Sequence, residues 1–347
     1  MKQSQRIEWI DVLKCIVMWL VVVGHTSRDD TPDTLRFYIY AFHMPLFFLI
    51  SGMTFRLQCR KRDFDFKGIV KNKAQGLLWP YFILSMLTIP MWLVNYRVLS
   101  YRDQSIGNLI YGIIYGNQYK VLSPTNAMWF CLTLFLTIVL FWMIYKKTQG
   151  DEKKLAITVF IIALGGYILS VFDIKVELPW HLDTVPIALL FVWMGWFFIE
   201  HIDKIQDILG DKKKQAMWLV LLIPIAFFSA RFNEKISMAM NDYGLLILFV
   251  CETIAFSLIF IIVAKNIKPL EIFKFIGRNT IVILAFHSPV FRFMERYSQA
   301  TADFYHDFPI LAGSLVFLAM IPLCYIFERY LPVCLGKFKK WFYYYFH

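Results

Sequence analysis

The sequence predicts an all-α fold: a polytopic integral membrane bundle of about ten transmembrane helices, with both termini in the cytoplasm. Hydrophobic residues make up 59% of the 347-residue chain and charged residues only 18%, whereas soluble domains carry about 25% charged residues. Long apolar runs recur along the chain, and Lys and Arg residues concentrate in alternate loops. The two halves do not differ in composition, so we expect a single membrane domain over residues 1–347.

The predicted helices are apolar stretches of the length that a bilayer requires, about 20 residues. The ten predicted spans are residues 8–27, 37–55, 76–95, 127–145, 155–172, 184–200, 216–231, 243–264, 277–294 and 309–331. The apolar tract at 105–116 is too short to cross a bilayer, and we expect it to form an interfacial or re-entrant helix.

The cations predict the orientation of this bundle. With the N-terminus inside, the cytoplasmic segments hold 24 of the 36 Lys and Arg residues and the outer loops hold 10. Such a bias is typical of cytoplasmic loops. Cytoplasmic cations that contact anionic lipid headgroups explain the net charge of +11. No motif in the sequence indicates a nucleic-acid partner. The six Cys residues form no CxxC motif, so we expect no metal site.

The first predicted span carries Asp11, Lys14 and His25, and ionisable side chains inside a membrane need a polar partner or a cavity. At about 100° per residue, Lys14 and His25 lie about 20° apart around the helix and about 16 Å apart along it. Asp11 falls on the same face. The stripe either lines a cavity, or Asp11 and Lys14 form an interfacial pair with His25 at the outer water boundary. The shared face favours the cavity.

The second predicted span contains His43 and, two residues later, Pro45. A proline frees a backbone carbonyl and kinks the helix, which opens a polar pocket beside it. His43 should lie at a depth similar to that of His25, either in such a pocket or bonded to a neighbouring carbonyl. Glu252 lies in the middle of the eighth predicted span and His287 near the outer end of the ninth, and the sequence leaves their roles open.

The densest run of cations lies between the second and third predicted spans. It comprises Arg56, Arg60, Lys61, Arg62, Lys67, Lys71 and Lys73. One interpretation is that these residues fix the topology and bind anionic lipid headgroups. The other is an anion site for a phosphorylated cytosolic ligand.

Five ordered blocks of this sequence resemble acyltransferase family 3, a family of membrane acyltransferases. The blocks are IEWIDVLKCIVMWLVVVGH at 7–25, FHMPLFFLISG at 42–52, the basic run leading into WPY at 79–81, MWFCLTLF at 128–135, and FIGRNTIVILAFHSPV at 275–290. The first block matches the family's basic residue followed, after ten residues, by His, here Lys14 and His25. Many members have Arg where this chain has Lys14, which keeps the charge but loses the planar guanidinium.

The resemblance implies an enzyme of the bacterial cytoplasmic membrane. It would move an acyl group, commonly acetyl, from cytosolic acyl-CoA to a hydroxyl of an extracytoplasmic glycan or lipid-linked sugar. Acetyl-CoA would be a substrate, with no permanently bound cofactor.

Combined with the polar stripe, the resemblance assigns roles to particular residues. His25 would act as general base or carry the acyl group transiently. His43 would orient His25 or stabilise the developing oxyanion, and Asp11 would pair with Lys14 at the inner mouth. The expected CoA-binding cations are Lys14, Arg60, Lys61, Arg62, Lys71 and Lys73.

An alternative function is a transporter or exporter of a small anion or sugar, because the polar stripe and the Pro-interrupted helix suit a transport path. The chain shows no inverted repeat, however, and the family strings match acyltransferases. The sequence leaves open the acceptor, the acyl chain length and whether the protein forms homo-oligomers.

Overall fold

The computed structural model describes residues 7–26, 34–94, 106–116, 126–172, 178–234 and 236–338. Within these ranges the chain is almost wholly α-helical. Extended structure there is limited to an isolated antiparallel bridge between Ser237 and Asp242. The predicted all-α membrane bundle is confirmed.

The helices follow one another with short connections. They are α1 (Glu8–Gly24), α2 (Thr34–Lys61), α3 (Phe66–Lys73), α4 (Trp79–Leu87), α5 (Ile89–Leu93), α6 (Ile106–Tyr115), α7 (Trp129–Lys147), α8 (Glu152–Val171), α9 (Val185–Glu200), α10 (Ile202–Leu209), α11 (Lys212–Phe232), α12 (Leu246–Asn266), α13 (Glu271–Arg278), α14 (Thr280–Tyr297), α15 (Gln299–Asp307) and α16 (Pro309–Tyr330). A π-helical turn at Ala74–Leu78 joins α3 to α4, and a short 3₁₀ turn, Pro332–Leu335, follows α16.

Seven helical segments in the described part of the chain are long and apolar enough to cross a membrane. They are α2, α7, α8, α11, α12, α16 and the segment Pro179–Glu200, which ends with α9. Each coincides with a predicted span. The short tract predicted at 105–116 forms the ten-residue helix α6, and residue 105 lies outside the described residues.

The other three predicted spans correspond to shorter or more polar helices. The first is α1, with 17 residues, and position 27 at its predicted end lies outside the described residues. The third is divided among the π turn, α4 and α5, and position 95 lies outside the described residues. The ninth begins at the junction of α13 and α14. The count of ten spans therefore stays a prediction.

Aspartates at the predicted cytoplasmic face begin three of the helices. The side chains of Asp65, Asp151 and Asp211 each accept a hydrogen bond from a backbone N–H in the first turn of α3, α8 and α11. Such caps satisfy backbone donors that have no partner within the helix.

Helix α1 lies at the centre of the bundle and packs against α2, α12, α13, α14 and α16. Most of its residues are buried, including Asp11, which is 2% exposed. Because α1 is surrounded by other helices, its polar residues face protein and not lipid. This burial is what permits ionisable residues along a short membrane helix.

Candidate functional site

A cavity of about 690 Å³ lies beside α1 and is lined by parts of α1, α2, α3, the π turn, α7, α13, α14, α16 and the segment after α16. Four cations line it, which we call the cation cluster: Lys14, Lys73, Arg278 and Lys337. Glu328 is the one carboxylate among the described lining residues. The lining is therefore strongly positive, which suits an anionic ligand.

The cavity changes from polar to apolar along the helices that form it. On α1 the lining runs from Lys14 to Val21, and on the antiparallel α2 it runs from Gln58 to Met44. On α14 it ends at Leu284. The cations thus lie at the end of the bundle where the sequence predicts the cytoplasm, and the apolar end points toward the opposite side.

Three histidines lie within about one helical turn of the apolar end, and we call them the histidine cluster: His25, His43 and His287. His25 follows Val21 by four residues, and its backbone N–H donates to the Val21 carbonyl over 3.2 Å. His43 directly precedes Met44, the lining residue at the apolar end of α2.

His25 and His287 come from α1 and α14, and their ring centroids are 5.1 Å apart. Tyr40 connects His25 to the third histidine. Its hydroxyl lies 3.4 Å from His25 Nδ1, and its ring centroid is 4.9 Å from that of His43. Arg36 lies over the Tyr40 ring at 4.8 Å and donates to the hydroxyl over 3.4 Å. The cluster is therefore a contiguous group of titratable rings from three helices.

His43 and His287 share one local structure, because each begins an H-x-P sequence and each bonds to the carbonyl four residues earlier. The Nδ1 atoms lie 2.8 Å from the Ile39 oxygen and 2.7 Å from the Ile283 oxygen. A carbonyl only accepts, so Nδ1 carries the proton in both rings. In the neutral imidazole, Nε2 then holds a lone pair and acts as an acceptor.

Lys73 is the most deeply buried member of the cation cluster, with 7% of its surface exposed. Its ammonium donates to Gln58 Oε1 over 2.7 Å and lies 4.7 Å from the centroid of the Phe55 ring. Burial, with a smaller contribution from the nearby charge of Lys14, lowers the pKa of Lys73 to about 8. Lys73 therefore loses its charge at a pH where an exposed lysine would keep it.

Asn279 holds the C-terminal member of the cation cluster in place. Its side-chain oxygen accepts from Lys337 Nζ over 3.1 Å, and its amide nitrogen donates to Glu328. The glycine that precedes Arg278 packs directly on α1, because a Cβ at Gly277 would overlap the Asp11 carbonyl. These contacts bring α13 and the segment after α16 to the edge of the cavity.

Two of the six predicted donor-binding cations line the cavity. Lys14 does so and lies 3.9 Å from Asp11 Oδ1, so the predicted pair exists. Lys73 is the second. The other four face outward: Arg60 donates to the Ile199 carbonyl over 2.7 Å, Arg62 lies over the Phe64 ring, and Lys61 and Lys71 are exposed.

The sequence assigned no role to three residues of the site. Arg278 and His287 lie in the block 275–290 that carries the family resemblance, so a signal was present without a role attached. Lys337 belongs to a basic run that indicated only topology. The remaining open residue, Glu252, does not line the cavity; it is buried and accepts from Asn233 Nδ2 over 3.3 Å.

Comparison with known proteins gives one family. A family model described as an acyltransferase domain, of the type 3 class, matches residues 7–329. The matched range covers the cavity lining except for the segment after α16. Neither the curated proteins nor the solved structures gave a match.

Proposed function

Because the chain belongs to the type 3 acyltransferase family, we propose that it transfers an acyl group, acetyl in the first instance, from cytosolic acyl-CoA to a hydroxyl on the far side of the membrane. The acceptor would be an extracytoplasmic glycan or a lipid-linked sugar. The protein would reside in a bacterial cytoplasmic membrane, where the donor and the acceptor lie on opposite sides of the bilayer.

The observation that supports this proposal best is the cavity that leads from the cation cluster toward the histidine cluster. A CoA thioester has an anionic, phosphorylated end and an acyl end, joined by a slender arm. The cavity has the matching arrangement, with four cations at one end and apolar walls at the other. A transporter path would explain the polar stripe, but not the membership of an acyltransferase family.

The cation cluster would hold the CoA phosphates through charge-assisted hydrogen bonds. Arg278 offers a guanidinium for a bidentate contact, whereas Lys14, Lys73 and Lys337 act as point charges. The outward-facing Arg60, Lys61, Arg62 and Lys71 would attract the nucleotide at longer range or contact lipid headgroups.

The pantetheine arm would follow α1 from Lys14 toward His25. In direct transfer, the acceptor oxygen attacks the thioester carbonyl while His25 takes the hydroxyl proton. The carbon–sulfur bond then breaks, and the thiolate leaves and receives that proton. In the two-step route, a nitrogen of His25 attacks the thioester carbonyl, the carbon–sulfur bond breaks, and the thiolate takes up the proton that the acylated ring releases. The hydroxyl oxygen then attacks the acyl-imidazole, the carbon–nitrogen bond breaks, and the hydroxyl proton returns to the ring.

The geometry favours an orienting role for His43 over an oxyanion role. Its Nδ1–H is committed to the Ile39 carbonyl, so the neutral ring has no second N–H to offer a developing negative charge. The Tyr40 hydroxyl, which lies 3.4 Å from His25 Nδ1, is the neighbouring donor.

The proposal predicts that His25→Ala abolishes transfer. Membranes from cells that express the protein would be supplied with radiolabelled acetyl-CoA, and label would be counted in the glycan and lipid-linked sugar fractions. His201→Ala is the matched control, because this histidine lies at the end of α9 beside Glu152, away from the cavity. We expect wild-type label with the control and background label with His25→Ala, at equal protein levels. Wild-type incorporation by His25→Ala would overturn the proposal.

A further inference from the structure

His287 is a buried histidine that has no role in the reaction proposed above. It lies in α14, its side chain is fully buried, and its ring is 5.1 Å from that of His25. Its Nε2 atom has no hydrogen-bond partner among the described residues. A buried acceptor without a partner costs free energy, so an apolar ring would serve better if His287 only filled space.

The tautomer of His287 determines what this atom can do. Because Nδ1–H donates to the Ile283 carbonyl over 2.7 Å, Nε2 presents a lone pair. His25 has its Nδ1 next to the Tyr40 hydroxyl, which leaves its own Nε2 for the neighbouring ring. An N–H···N hydrogen bond of about 2.9 Å between two imidazoles sets their centres about 5 Å apart. The two ring centroids are 5.1 Å apart, close to this value, but the rings are tilted by 52° and no hydrogen bond joins them in the structure, so the bond requires a rotation of the His25 ring.

We propose that His287 is a positioning residue whose Nε2 accepts the Nε2–H of His25. This bond fixes the His25 tautomer that directs its Nδ1 lone pair toward Tyr40 and the reacting groups. The inference rests on the proposed function and extends it by assigning a partner to the reacting histidine. The same logic operates wherever a catalytic imidazole is oriented by a third group.

The proton balance of the reaction is unchanged by this partner. When Nδ1 of His25 takes the hydroxyl proton, the ring becomes an imidazolium and its Nε2–H bond to His287 becomes charge-assisted and stronger. The proton then passes from Nδ1 to the departing thiolate. His287 keeps its own proton on Nδ1 throughout.

Two amide substitutions separate positioning from packing. His287→Gln extends a carbonyl oxygen to about the level of Nε2 and so keeps an acceptor for His25. His287→Asn is shorter and reaches only the level of Nδ1. Initial rates would be measured in expressing membranes over a range of acetyl-CoA concentrations, with the amount of folded protein set by fluorescence-detected gel filtration.

We expect His287→Asn to lower kcat by about 10- to 100-fold, the range seen when the partner of a reactive histidine is removed. The KM for acetyl-CoA should stay within about twofold, and His287→Gln should recover most of kcat. Equal kcat values for the two variants, a wild-type kcat in His287→Asn, or a parallel rise in KM would overturn the positioning role. If the wild-type protein itself transfers no label, the proposed function fails instead, so the two failures are distinguishable.

Discussion

We expect the buried amine of Lys73 to make donor binding depend on pH. Its pKa is lowered to about 8 by burial, so its charge is present at pH 7 and is lost as the pH rises through 8. We predict that kcat/KM for acetyl-CoA falls across this range, because kcat/KM reports the ionisation of the free enzyme. The matched variant is Lys73→Arg, whose guanidinium stays charged.

The check is a rate profile from pH 7 to pH 9.5 for both proteins. Lys73→Arg should show a flatter profile above pH 8 than the wild type. An equally steep decline in both proteins would show that another group controls the pH dependence.

At the residue scale, the sequence predicted what a single helix determines. Asp11, Lys14 and His25 share a face because helix geometry fixes their positions around the helix axis. The structure places Lys14 at the cavity wall, about three helical turns before His25. The partners of these residues could not be predicted in the same way. His287 lies beside His25, and Lys337 lines the same cavity as Lys14, across more than 250 residues of chain. Only the packing of α1 against α14 and α16 brings them together.

At the element scale, the basic run from the end of α2 through α3 shows what sequence proximity cannot predict. Because its cations are close in sequence, five of the seven were expected to bind CoA together: Arg60, Lys61, Arg62, Lys71 and Lys73. In the structure, α3 and the π turn bury one of them, Lys73, while Lys61 and Lys71 stay exposed. A short helix such as α3 buries one face and exposes the other. The sequence alone did not show which of its lysines would lie on the buried face, beside the cavity.

The contact between α2 and α9 depends on two glycines. A Cβ at Gly52 would overlap the Val192 carbonyl, and a Cβ at Gly195 would overlap the Leu49 carbonyl. Small residues at such positions let membrane helices approach closely. This contact sets the position of α2, which carries both His43 and the polar lining of the cavity.

We therefore predict that Gly195→Ala destabilises the bundle, by about 1–3 kcal/mol as is typical of overpacking. Gly165→Ala in α8 is the control, because a Cβ at Gly165 would meet no atom of a neighbouring helix within 4 Å. Thermal unfolding in detergent should show a lower midpoint for Gly195→Ala and an unchanged or higher midpoint for Gly165→Ala. Equal midpoints would mean that the two helices do not approach as closely as described.

At the scale of the whole molecule, composition predicted the membrane bundle because the chain has too few charges to cover a soluble globule. Among the described residues, seven helical segments meet the length and hydropathy of a span, and the other three predicted spans correspond to shorter or more polar helices. Two of those three, α1 and α14, carry His25 and His287. The departures from an ideal span therefore coincide with the candidate site, where polar residues replace apolar ones.

The bundle brings a cation-lined cavity and a histidine cluster together within one fold. α1 runs through the centre, its residues from Lys14 to Val21 line the cavity, and His25 follows its C-terminal end. We propose that the donor binds in the cavity, held by the cation cluster, and not on the outward-facing basic run.

The affinity of the purified protein for CoA, measured by titration calorimetry, tests this claim most directly. One variant combines Arg278→Gln with Lys337→Gln in the cavity, and the control combines Lys61→Gln with Lys71→Gln on the exposed face. Hydrogen bonds to charged groups contribute about 1.5–3 kcal/mol each, so the cavity variant should raise Kd by about 100-fold or more. The surface variant should change Kd by less than about threefold, since exposed charges contribute little. A surface variant that loses CoA while the cavity variant binds it normally would contradict the account.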